Sequence, residues 1–116
     1  MRHPDWVARL AALLRDAETR AFHPRAWNCS LFALAAIEAV TGRRPAVRVR
    51  PDLLASADSA GFPRVAPLHA QMGDVALAPD PDRFGVVLDA GRVAFVGPRG
   101  LIRAPITLCT QAWRIG

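Results

Sequence analysis

The sequence predicts an α+β fold, with N-terminal helices packed on an antiparallel β-meander. Three observations carry this reading. Apolar residues recur at helical spacing up to Gly42, four prolines interrupt the stretch from Arg43 to Gln71, and short apolar runs separated by turn residues fill the chain from Gly73 onward. The chain has 116 residues, 52% of them hydrophobic, which fits one domain over residues 1–116 with a single core.

Each element has its own local signal. Pro4 and Asp5 suit a helix start, and Trp6, Val7, Leu10, Leu13, Leu14 and Ala17 share one face of a helix predicted over Pro4 to Arg20. Phe22 to Asn28 is a loop broken by Pro24. Asn28 is a good N-cap, Cys29, Phe32, Ala33, Ala36, Ile37 and Val40 follow helical spacing, and Gly42 supplies the stop. Asp52 to Ala60 forms one short helix within the proline-rich stretch. Strands are expected at Asp74–Ala78, Phe84–Leu88 and Arg92–Val96, the last two joined by a tight turn at Asp89-Ala90-Gly91. Gly97 to Gly100 is a further turn, and Leu101–Ile106 and Ala112–Ile115 close the sheet.

The formal net charge is +5, and all fifteen basic residues are arginine. A basic chain suggests a polyanionic partner. Here the arginines are scattered, densest at Arg43, Arg44, Arg48 and Arg50, and no aromatic residues interleave with them as base-stacking platforms. No specific nucleic-acid partner is therefore expected. No apolar run is long enough for a bilayer-spanning helix, and the N-terminal residues, with Asp5 among them, do not read as a signal peptide. Cys29 and Cys109 do not make a disulfide framework, although a bridge between them is one alternative. Three dispersed histidines and two distant cysteines show no metal-ligand spacing, and no phosphate loop is present, so no cofactor is expected.

Cys29 is the candidate nucleophile. A thiol in the first turn of a helix stands at the positive end of the helix dipole, a setting used to activate sulfur. The bland reading is a small apolar residue on a core helix. A cysteine hydrolase also needs a base to take and return the thiol proton. His69, just ahead of the Gly73-Asp74 step, and His23, in the loop before Cys29, are the candidate bases, and each also reads as a surface polar residue. His3 is expected to be solvated and Cys109 to lie in the core. Asp74 could orient a base, or accept backbone hydrogen bonds in a turn.

The order of these motifs resembles the NlpC-type cell-wall cysteine peptidases. The resembling features are Cys29 at a helix start, Met72-Gly73-Asp74-Val75 opening a strand, and Phe84-Gly85-Val86-Val87 on the next. The small branch found in phage and prophage tail modules is the closer match. Its tryptophan-bearing first helix, its phenylalanine seven residues before the cysteine and its closing tryptophan-arginine-hydrophobic strand correspond to Trp6, Phe22 and Trp113-Arg114-Ile115. The chain departs from the family at two places: Asn28 stands where aspartate is usual, and Arg83 aligns with the catalytic histidine. Arginine stays protonated at neutral pH and is no general base.

The resemblance implies a minimal papain-like, NlpC-type domain. It further implies a structural component of a phage or phage-like tail tip or tail hub, degenerate at the active site. Such a protein would be made in the host cytoplasm, carried in the virion and partnered by other tail-tip or hub proteins. The alternative is an active cysteine peptidase or amidase that cleaves peptidoglycan peptides during wall penetration, with peptidoglycan as a further partner. A toxin or immunity protein on the same scaffold is the third reading.

Overall fold

The computed structural model describes residues 1–116. Three helices, α1 (Trp6–Ala17), α2 (Cys29–Thr41) and α3 (Leu53–Ser59), precede six strands: β1 (Arg64–Val65), β2 (Val75–Ala78), β3 (Arg83–Val87), β4 (Arg92–Gly97), β5 (Gly100–Pro105) and β6 (Gln111–Trp113). All strand pairs are antiparallel, in the order β1-β6-β2-β3-β4-β5. The expected α+β class with helices on an antiparallel sheet is what forms. The expected simple meander is corrected: β2 to β5 run as one, but the chain then returns across the sheet and inserts β6 between β1 and β2.

Local chemistry sets the helix ends. The Asn28 side chain accepts from Leu31 N at 2.9 Å, and Gly42, at φ +80°, ends α2 with its N–H donating to Glu38 O. Asp52 caps α3 in the same way, accepting from Ala55 N at 3.1 Å. α1 starts at Trp6, two residues later than its sequence signal, and its N-cap residue Asp5 makes no side-chain cap. Its apolar face is also narrower than the spacing predicts. Leu10 and Ala17 are buried, Trp6, Leu13 and Leu14 are half-buried, and Val7 is exposed.

The sheet has two unlike faces, as alternation along each strand requires. Val75, Leu77, Phe84, Val86, Ala94 and Trp113 point to one side and pack with α1 and α2 in the main core. Ala76, Ala78, Val87, Val93, Phe95 and Ala112 point to the other. That second face is covered by Ile106 and Cys109, at and just after the 3-10 turn Ile106–Leu108, and by Ala70 beside a second turn, Pro67–His69. The turn linking β4 to β5 is pinned to the end of α1: Leu101 N donates to Glu18 O, and Arg103 forms a bidentate pair with the Glu18 carboxylate. Gly100 permits this approach, at φ +138°, since a Cβ there would collide with the Glu18 carbonyl.

A second tie has a pH signature. Asp58, at the end of α3, accepts from Trp113 Nε1 at 2.9 Å and forms a bidentate pair with Arg64. The Arg64 hydrogen bonds first, and the Trp113 indole second, lower the Asp58 pKa from its ordinary 3.8 to about 2. A carboxylate with a depressed folded pKa stabilises the fold above its unfolded pKa, and that contribution fades as pH falls through the folded value. The Trp113 indole N–H resonance should therefore titrate near pH 2 in acid. Substituting Arg64→Ala should move that midpoint upward toward 3.8. An unmoved midpoint would show that Arg64 does not hold the carboxylate.

Candidate functional site

Cys29 opens α2 as the sequence predicts. It lies on the same helical row as Ala33, Ala36 and Val40, all buried, so its side chain shares the inward face of α2. The thiol is half-buried and packs against the main core, which contains Phe84 and Val86 of β3. The loop in front of it is firmly built. His23 and Trp27 exchange both backbone hydrogen bonds, at 2.8 and 3.0 Å, and Asn28 Nδ2 donates to Pro24 O at 2.9 Å. Trp27 is buried, tilted against Phe32 at 5.7 Å between ring centroids, and covered by the Arg20 guanidinium at 4.2 Å. Its indole N–H is the one buried side-chain polar atom without a hydrogen-bond partner. Trp27 and Trp113 are the core tryptophans, and Trp6 is half-buried under Arg2 at 4.3 Å.

The candidate bases are engaged or placed elsewhere. The exposed His23 turns Nδ1 toward its own loop, where it accepts from Arg25 N at 3.1 Å and Ala26 N at 3.0 Å. His69 is exposed in the turn Pro67–His69, which packs with the turn Ile106–Leu108 over the second face of the sheet. The sheet thus stands between His69 and α2. His3 sits beside Gly42, at the far end of α2, with Nδ1 accepting from Asp5 N at 3.0 Å.

Arg83 opens β3 with its side chain on the face away from α2. Its guanidinium lies 4.9 Å from the Phe95 ring centroid and donates to Pro79 O and Pro81 O. Side chains alternate along a strand, so the α2-facing residue at the start of β3 is Phe84. Phe84 is buried and meets Trp113 edge to face at 6.1 Å. An apolar ring therefore occupies the α2-facing position at the start of β3, in the core against which Cys29 packs.

Asp74 accepts backbone hydrogen bonds at a turn, as one of its two readings expects, and takes two guanidiniums as well. Its carboxylate is fully buried and accepts four hydrogen bonds. Oδ1 takes Arg2 Nη2 and Ile115 N, both at 3.0 Å, while Oδ2 takes Gln71 N at 2.8 Å and Arg114 Nε at 3.0 Å. Arg2 further donates to Met72 O and Ile115 O, and Arg114 to His69 O. The site joins both chain ends to the turn before β2. It lies near Val40, eleven residues along α2 from Cys29, or about 17 Å at the helical rise. The expected role in orienting a base at Cys29 is excluded by this distance. The sequence reading foresaw the backbone acceptor role but missed Arg2 and Arg114, whose types are indistinguishable in an arginine-rich chain.

Cys109 is buried on the second face, and burial raises its thiol pKa, with Arg83 opposing. It is free, as is Cys29, and the two sit in cores on opposite sides of the sheet, so the alternative of a bridge is not realised. No helix is long and apolar enough to cross a membrane.

No curated protein gives a significant match to this sequence. The family described as Domain of unknown function (DUF6950) matches residues 1–54 and 51–115, almost the whole length, and the chain belongs to that family.

Proposed function

We propose that this protein is a structural component of the tail tip or tail hub of a phage or phage-like particle, built on a papain-like, NlpC-type scaffold whose hydrolytic site is degenerate. The observation that carries the reading is that Cys29, at the head of α2, packs against an apolar core to which β3 contributes Phe84 and Val86, with no titratable side chain of β3 on that face. The nucleophile position is kept, and the position that aligns with the family's histidine carries Arg83, whose guanidinium lies against Phe95 on the other face of the sheet. Acyl transfer through a thiol needs a group to remove its proton and return it to the leaving amine. Arg83, which stays protonated, and Phe84, which has no titratable group, can do neither. The order Trp6, Phe22, Cys29 and Trp113-Arg114-Ile115 supports the tail branch of the resemblance.

The alternative, a cysteine peptidase or amidase acting on peptidoglycan peptides, draws its support from His23. This imidazole lies in the short loop that precedes the cysteine, and its Nδ1 is occupied by two backbone N–H groups.

The test is made in particles. Purified tails from wild type and from a Cys29→Ala strain should both contain the chain by mass spectrometry, and infectivity should stay within about twofold, since removing one half-buried sulfur is a modest perturbation. Absence of the chain from tails, or loss of infectivity with the variant still incorporated, would contradict the structural role.

A further inference from the structure

Residues 43–50, Arg43-Arg44-Pro45-Ala46-Val47-Arg48-Val49-Arg50, form an extended arm between α2 and α3 that belongs to no sheet. Burial alternates along it as in a strand. Pro45, Val47 and Val49 are half-buried, while Ala46, Arg48 and Arg50 are exposed. Val47 and Val49 anchor the arm over an apolar cavity of about 40 Å³, shared with Leu34, Ile37, Ala57 and Phe62. The backbone groups of residues 44–49 enter no hydrogen bond. At the ends, Arg43 is held by the Thr41 hydroxyl and Arg50 by the Ser56 hydroxyl. Prolines at 45 and 51 favour the extended chain and disfavour a helix.

The charge on this arm is one-sided. Four of its eight residues are arginine and none is acidic. Arg44 makes a long contact with Glu38 at 3.9 Å, between two well-exposed side chains, whereas Arg43, Arg48 and Arg50 have no carboxylate partner. Arg48 and Arg50 project from the same side at two-residue spacing. That spacing is about 6.6–6.8 Å along a strand, and it equals the spacing of alternate side chains on a paired partner strand.

We propose that the arm at residues 44–50 is a docking strand for an extended acidic segment of a partner protein. Backbone pairing would supply the ladder, and carboxylates at alternate partner positions would meet Arg48 and Arg50. The small exposed Ala46 leaves room for close backbone approach. A single-stranded nucleic acid would need aromatic platforms beside the arginines, and the nearby Phe62 lines the cavity beneath the arm instead. The partner would be a neighbouring tail protein, so its identity rests on the tail-component reading, while the docking chemistry is tested separately.

The probe is a fluorescein-labelled octapeptide of alternating glutamate and threonine, followed by anisotropy with the purified full chain. Saturable binding is expected, and the double variant Arg48→Glu/Arg50→Glu should weaken it about tenfold or more, with the circular dichroism spectrum unchanged. Two further peptides carry N-methyl groups on one or the other pairing edge. Methylation of one edge should cost about tenfold and of the other little, because only one edge can face the arm. No binding by the acidic peptide, equal binding by both methylated forms and the parent, or tighter binding of a twelve-residue oligo-dT would each overturn the docking strand. Failure here leaves the particle test of the tail role standing, and failure of that test leaves peptide binding to be read alone.

Discussion

Replacing Asp74 with alanine is expected to lower stability by about 3–5 kcal/mol, the usual result of breaking a buried ion pair by removing one partner. The carboxylate is fully buried and accepts from two guanidiniums and two backbone N–H groups. Its removal takes the acceptor from two backbone N–H groups and the counter-charge from two guanidiniums. A domain of this size has roughly 5–15 kcal/mol in total, so the variant should unfold at much lower urea and melt more than about 10 °C below wild type. Asp74→Asn should fall between the two, because an amide keeps one acceptor oxygen but turns an N–H toward groups that are themselves donors. The exposed Asp16→Ala is the control, expected within about 0.5 kcal/mol of wild type. A loss below about 1 kcal/mol for Asp74→Ala would mean that the chain ends are held by other contacts.

Trp113→Ala is expected to be of similar size, about 3–5 kcal/mol, as for other large buried aromatics cut to alanine. The ring is 1% exposed and meets Phe84 edge to face, and its N–H bonds Asp58 across from α3. It therefore binds β6 to the sheet, to β3 and to the third helix at once. Trp113→Phe keeps most of the apolar contact and removes only the N–H. It should be milder, and it should raise the Asp58 pKa part of the way from about 2 toward 3.8. Chemical denaturation of both variants measures the difference. If Trp113→Phe were as damaging as Trp113→Ala, the indole hydrogen bond rather than ring packing would carry the site.

What the sequence revealed follows the range of the forces involved. Asn28, Gly42 and Asp52 act on groups three or four residues away, so the ends of α2 and α3 could be read directly. The hairpin turn at Asp89-Ala90-Gly91 is equally local, with Ala90 and Gly91 at positive φ. The insertion of β6 beside β2 could not be read, because its ladder joins residues that no short-range pattern links. The two-residue β1, in a proline-rich stretch, carries no periodicity at all.

The candidate site divides along the same line. The place of Cys29 was set by its cap and was legible. The surroundings of the thiol depend on which face each β3 residue takes, and a one-residue difference in register exchanges Arg83 for Phe84. Arg2 and Arg114 reach Asp74 across 72 and 40 residues of sequence, and only the folded chain brings them together.

The most direct test of the central claim, a thiol at the hydrolase position with no base to work it, is hydrolysis by the purified protein. Wild type and Cys29→Ala are incubated with purified peptidoglycan, and soluble muropeptides are measured, with circular dichroism confirming that both remain folded. The account predicts equal release from the two, at the level of a buffer control. Release by wild type that Cys29→Ala abolishes would contradict it and establish a working cysteine hydrolase.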